Sequence, residues 1–184
     1  MVVKKFIINI NFIIYHLYPF FSLFQEKKAA KLLSEKNIKL AIAESCTGGL
    51  ISSRLTDIPG SSLYIFQNFI TYSNEAKIQL LNVKRETIQK YGVVSSEVAI
   101  EMTKGLLENH NCDIALSITG IAGPDGGSIE KPVGLVYIAV ADKNTSKVFK
   151  LEANPLLSRR LIKYAASCKA LDLLCEFILI NYKS

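Results

Sequence analysis

Ala41-Ile42-Ala43-Glu44-Ser45-Cys46-Thr47-Gly48-Gly49 is the stretch that decides the architecture. Lys39 to Ala43 is an apolar run of strand length, and it empties into a sharp turn that opens a helix over Gly48–Leu55. A strand feeding a helix in this way is the building unit of an α/β fold. Ser45 and Cys46, two nucleophilic side chains, stand next to each other at the turn. The first backbone N–H groups of a helix lack intrahelical partners and point outward, so the turn is also a place to hold an anion or an oxyanion. The residues fit a second description equally well: Ser and Thr are common helix caps, and Gly is a common turn residue.

Working outward, the same alternation continues on both sides. Gln25–Glu35 places Ala29, Leu32 and Leu33 at helical spacing. Pro59-Gly60-Ser61-Ser62 marks a turn before a short helix, and Phe66–Tyr72 reads as a strand. Helices are predicted over Asn74–Leu81, Arg85–Tyr91 (closed by Gly92) and from a Ser95 cap to Asn109. Asp113–Thr119 is an apolar strand that runs into the glycine-rich loop Gly120-Ile121-Ala122-Gly123-Pro124-Asp125-Gly126-Gly127. Val133–Val140 and Lys147–Leu151 pair as a hairpin across Asp142–Thr145, and a last helix spans roughly Ser158 to Ile180. The predicted fold class is therefore α/β, a three-layer α/β/α sandwich with a mixed, mainly parallel sheet. Ligands of such sheets sit at the carboxyl ends of the strands, where the Ser45 turn and the Gly120–Gly127 loop both fall.

Length and composition bound the function. A chain of 184 residues with 49% hydrophobic residues forms one domain with a substantial core. The net charge of +6 comes from scattered pairs such as Lys4-Lys5, Lys27-Lys28, Lys84-Arg85 and Arg159-Arg160. No basic stripe results, so a nucleic-acid partner is not expected. The four cysteines (46, 112, 168 and 175) include no CxxC pair, which points to free thiols and a cytoplasmic setting. Two histidines and no ligand-spaced cluster argue against a metal.

Phe6 to Phe24 is the anomaly: 19 residues without a formal charge, preceded by Lys4-Lys5 and followed by Glu26-Lys27-Lys28. That approaches a bilayer span, though Asn9, Asn11, His16, Pro19 and Ser22 dilute it. Residues 1–24 are assigned to an apolar leader outside the fold and 25–184 to the domain, with membrane attachment through residues 6–24 left open.

Chemistry is narrowed by elimination. His16 lies in the leader and His110 at a helix end, so a Ser-His-Asp triad has no suitable histidine. A nucleophilic Ser45 needs another base, and a desolvated lysine can take the hydroxyl proton. Thr71-Tyr72-Ser73-Asn74-Glu75-Ala76-Lys77, a strand end turning into a helix, offers Lys77 and Tyr72. An exposed helix lysine and a packing tyrosine are the plain alternatives for both. The glycine loop lacks the Gly-Lys-Ser/Thr of a Walker A loop and does not open a helix as GxGxxG does. It is a candidate cradle for a phosphate or carboxamide, or simply a surface turn.

Together these blocks, with Lys131-Pro132-Val133-Gly134, resemble the CinA C-terminal domain family, the nicotinamide-mononucleotide deamidases. The resemblance runs from about Gln25 to the C-terminus. It implies hydrolysis of nicotinamide mononucleotide to nicotinate mononucleotide and ammonia, without metal or cofactor, by an oligomeric enzyme. It puts the nucleophile on Ser45, the base on Lys77 and the assisting tyrosine on Tyr72. Substrate contacts are expected from Cys46, Thr47, Gly48, Gly49, Thr119, Gly120, Gly123 and Gly126, with Cys46 a rival nucleophile. Many members carry a further N-terminal domain, and the pyrophosphatase activity associated with that domain is not expected here. Leu157-Ser158-Arg159 departs from the family's usual Gly-Asp/Asn-Arg, keeping only the arginine. The competing reading is a non-enzymatic, competence-associated interaction module, or the same domain held at a membrane.

Overall fold

The computed structural model describes residues 23–182. The assignment of residues 1–24 to an apolar leader, with membrane attachment through residues 6–24, therefore falls outside the described residues except at positions 23 and 24, which belong to the first helix. Among those described, no helix is long and apolar enough to cross a membrane.

Helix α1 (Leu23–Glu35) leads into strand β1 (Leu40–Glu44), followed by helix α2 (Leu50–Thr56) and a 3₁₀ turn at Ser61–Leu63. Strand β2 (Ile65–Ile70), helices α3 (Asn74–Leu81), α4 (Arg85–Tyr91) and α5 (Ser96–Asn109), and strand β3 (Ile114–Gly120) come next. Strands β4 (Leu135–Ala141) and β5 (Ser146–Glu152) precede the long helix α6 (Arg159–Asn181). The five strands form one sheet in the order β2-β1-β3-β4-β5. β1 runs parallel to β2 and β3, whereas β4 and β5 are antiparallel additions at one edge. This is the mixed α/β/α sandwich that the strand–helix alternation predicts.

β1 is buried at every position because helices cover both faces of the sheet. The period-2 alternation sorts its side chains. Leu40 and Ile42 join Ile114, Leu116 and Ile118 of β3 in the core beneath α1, α2 and α6. Ala41, Ala43 and Ala115 face the other way, against Leu81, Val98, Met102 and Leu106. Small residues on that face let α5 sit close to the sheet. Gly105 of α5 goes further: a Cβ there would come within 1.8 Å of the Leu81 carbonyl oxygen, so no larger residue fits where α3 and α5 cross.

Element boundaries differ from the sequence reading in two informative places. The second helix begins at Leu50 rather than Gly48, because Gly48 (φ 62°) and Gly49 (φ 91°) are left-handed and form the turn itself. β2 ends at Ile70, so Thr71 and Tyr72 leave the sheet and belong to the strand-end loop. The Thr71 N–H still donates to the Glu44 carbonyl (2.8 Å), which keeps that loop beside the Ser45 turn.

Candidate active site

Ser45 is the first residue past β1. Its N–H donates to the Ile118 carbonyl (3.1 Å), extending the β1–β3 ladder by one rung and fixing the turn against β3. The preceding residue, Glu44, is fully buried and folds under the start of α2. Its Oε2 accepts from the N–H of Gly49 (3.0 Å) and Ile51 (3.1 Å), and its Oε1 from the N–H (2.8 Å) and hydroxyl (2.7 Å) of Ser52. The helix start predicted as an anion site thus already holds an anion, the protein's own carboxylate. The Gly48 N–H is committed as well, to the Ser45 carbonyl (3.1 Å).

Lys77 comes from the other side of the crevice. Ser73 caps α3 by accepting from the Ala76 N–H (3.0 Å), and the helix then turns Lys77 inward. Lys77 has no exposed surface. Its Nζ donates to Ser45 Oγ (3.0 Å), the Thr71 carbonyl (2.6 Å) and the Tyr72 carbonyl (3.4 Å). All three partners are uncharged, so desolvation dominates and lowers the ammonium pKa from 10.5 to about 8. A neutral amine is then accessible near physiological pH, and the 3.0 Å contact can run the other way, hydroxyl to nitrogen.

The rival nucleophile is held differently. Burial, and next the Glu44 carboxylate, push the Cys46 thiol up to about 12, so Cys46 stays protonated.

Both side chains open onto a cavity of about 470 Å³ at the carboxyl ends of β1, β2 and β3. Its wall includes Ser45, Cys46, Tyr72, Lys77, Thr119, Gly120 and Gly126. Thr119 is nearly inaccessible, and its hydroxyl donates to the Val93 carbonyl (3.0 Å). Gly120 lies where a Cβ would meet Val136 Cγ2 at 2.7 Å. Thr47, Gly48, Gly49 and Gly123 are not on the wall. The Thr47 side chain is buried with its hydroxyl unpaired, and Gly49 faces Ile70. Gly123 enters indirectly, through its carbonyl.

That carbonyl accepts from Arg159 Nη1 (2.7 Å), and Arg159 Nη2 donates to the Tyr72 hydroxyl (3.1 Å). Tyr72 is 63% exposed; its backbone carbonyl meets Lys77 while its ring turns to the rim. The expectation that it sits against the Ser45–Lys77 pair holds for its backbone and not for its hydroxyl. Sequence reasoning kept Arg159 only as a remnant of a family motif and did not single out Asn74, Asp125, Ser128 or Lys131, all on the wall. Asn74, Asp125 and Lys131 each fall inside a block that carries the resemblance (Thr71–Lys77, Gly120–Gly127 and Lys131–Gly134), whereas Ser128 falls in none. Among the described residues, no group of three His, Cys, Asp or Glu side chains is placed to hold a metal ion.

Residues 24–178 match the model of the CinA C-terminal domain. The chain belongs to the CinA C-terminal domain family. A CinA-like protein of Syntrophomonas wolfei is 52% identical over 145 residues, covering 79% of this chain and 34% of the relative. One from Chloroherpeton thalassium is 49% identical over 147 residues, covering 77% and 35%. The chain thus spans about a third of the length of these relatives. Among solved structures, the competence/damage inducible protein CihA from Agrobacterium tumefaciens superposes with a TM-score of 0.81 at 36% identity, over 84% of this chain and 94% of that one. The competence damage-inducible protein A of Klebsiella pneumoniae gives a TM-score of 0.83 at 28% identity, over 88% and 99%. The residues matched by the family model, 24–178, include those that line the strand-end crevice.

Proposed function

We propose that this CinA domain hydrolyses the carboxamide of nicotinamide mononucleotide, giving nicotinate mononucleotide and ammonia. The observation that carries the reading is the buried Lys77 Nζ, 3.0 Å from Ser45 Oγ with its pKa lowered to about 8 by desolvation. Neutral Lys77 takes the Ser45 hydroxyl proton as Oγ bonds to the carboxamide carbon. The oxyanion is received by the N–H of Cys46, which lies on the wall, since those of Gly48 and Gly49 are bonded within the turn. Collapse of the adduct breaks the C–N bond, and the Lys77 ammonium returns its proton to the leaving ammonia. Water, deprotonated by Lys77, then cleaves the ester and restores the serine. Tyr72 acts through Arg159, steadying the rim above the pair. Self-association, implied by the resemblance, is part of the same proposal and is tested by sedimentation of the full chain.

The test is ammonia release from nicotinamide mononucleotide. Ser45→Ala and Lys77→Ala are each expected to lose at least ~10²-fold in kcat, the ordinary scale for a nucleophile or its base. Cys46→Ala is expected to keep near wild-type turnover. Full activity in Ser45→Ala would sink the serine mechanism. No ammonia from wild type, together with salt-sensitive DNA binding, would favour the interaction-module reading, which the competence and damage names of the relatives support.

A further inference from the structure

The two edges of the sheet are built differently. β5 carries Lys147, Lys150 and Glu152, with Lys147 paired to Glu176 and Lys150 to Glu152. Charges of this kind keep an edge strand from pairing with another chain. β2, at the opposite edge, carries none. From Ile58 to Asn74 there are 17 residues without a formal charge, in a chain of net charge +6. Proline, another guard of edges, is absent from Ile65–Ile70. A bulge falls at the start of the strand, opposite Leu40 and Ala41, and the register from Gln67 to Ile70 is regular.

The backbone of this edge is available as well. The Thr71 N–H donates to the Glu44 carbonyl, so alternation along the parallel ladder turns the polar groups of Phe69 toward β1 and those of Asn68 and Ile70 outward. Around these outward groups Phe66 is 44% exposed and Ile70 57%, with Leu63 exposed just before the strand. Single exposed apolar residues are ordinary, but these share one unguarded edge.

We propose that β2 is the surface on which a second copy of this chain docks, the two strands pairing antiparallel about a two-fold axis at Asn68. The inference rests on the self-association included in the proposed function and on no step of the chemistry. Two chains of charge +6 repel, so association is favoured where neither presents a charge. An edge paired with itself is an isologous interface that closes at two copies. Centring the axis on Asn68 sets Phe66 of one copy opposite Ile70 of the other, and an apolar cross-strand pair of this kind stabilises a sheet. The Asn68 carboxamide both donates and accepts, so it can bond its own counterpart across the axis.

Sedimentation of the full chain over a range of concentrations tests it. Wild type is expected to form dimers, and Asn68→Lys and Asn68→Asp each to weaken association at least ~10-fold by setting like charges face to face. An equimolar mixture of the two variants is expected to recover it, because opposite charges then meet at the axis; a misfolded variant would not be rescued. Asn144→Lys, in the turn between β4 and β5, adds the same charge away from the edge and is expected to dimerise as wild type does. A monomeric wild type overturns the proposal. So does association that Asn68→Lys leaves unchanged, which places the interface elsewhere while self-association stands. Weakened single variants whose mixture stays weak overturn the two-fold pairing at Asn68. Edge-dependent dimers without ammonia release would remove the deamidase reading and leave the interface standing.

Discussion

Lys77 is folded against its own ionisation, and that has consequences beyond the chemistry. Its pKa falls from 10.5 to about 8 because burial disfavours the ammonium. General-base catalysis requires the neutral amine, so kcat/KM is expected to rise with pH and level off above a midpoint near 8; a pH–rate profile flat from 6 to 10 would exclude Lys77 as the base. The same shift works on stability. Between the folded and unfolded pKa values the unfolded chain binds more protons, so stability increases as pH rises through about 8 to 10.5. Below that window the native state carries the full penalty, on the order of 3 kcal/mol by the scale of 1.36 kcal/mol per unit. Lys77→Met is therefore expected to be inactive yet to melt higher than wild type at pH 7, the signature of a functional residue kept at the expense of stability. A lower melting temperature would mean that the Thr71 and Ser45 hydrogen bonds outweigh the desolvation.

At the scale of elements, the Ser45 turn is held by the residue before it. Glu44 satisfies three N–H groups at the start of α2, a helix of only 7 residues that could not keep its position by propensity. Glu44→Ala leaves these buried donors unpaired, and each unsatisfied group costs about 1–3 kcal/mol. The variant is expected to unfold at markedly lower urea and to lose kcat in parallel, because Ser45 is carried on the same turn. An unchanged urea midpoint would show that water replaces the carboxylate. This device also marks the limit of what the sequence discloses. Strand and helix positions are legible because they are written locally, in the apolar run of β1 and in Ser73, Ser95 and Ser158, each of which accepts from the N–H three residues on. The Ser45–Lys77 pair was reachable by elimination, for want of a usable histidine. Glu44 turning under the helix is invisible, since a glutamate at a strand end reads equally as a solvated charge. The Arg159–Tyr72 contact spans 87 positions and the Lys131–Tyr91 contact 40, and no local pattern encodes either.

The whole molecule depends on a charged tie that joins three helices behind the site. Arg54 of α2 pairs with Glu26 of α1, both nearly inaccessible, and donates to the Ser167 hydroxyl of α6 (2.5 Å) and the Cys168 sulfur (3.3 Å). Gln25 accepts from the same guanidinium (3.1 Å), and the Tyr164 ring lies 4.9 Å from it. The tie spans the layer whose elements supply the turn after β1 and Arg159 at the head of α6, so it sets the relative placement of two parts of the cavity. Removing one partner strands the other charge in the core, which typically costs about 3–5 kcal/mol, whereas replacing both by apolar residues of similar volume is often neutral. Glu26→Leu and Arg54→Met are each expected to lower stability strongly, and the double variant to recover most of the loss in a double-mutant cycle. Recovery of stability without recovery of kcat would assign the ion pair to positioning α2 against α6. Simple additivity would mean that Ser167, Gln25 and Tyr164 hold Arg54 well enough without the carboxylate.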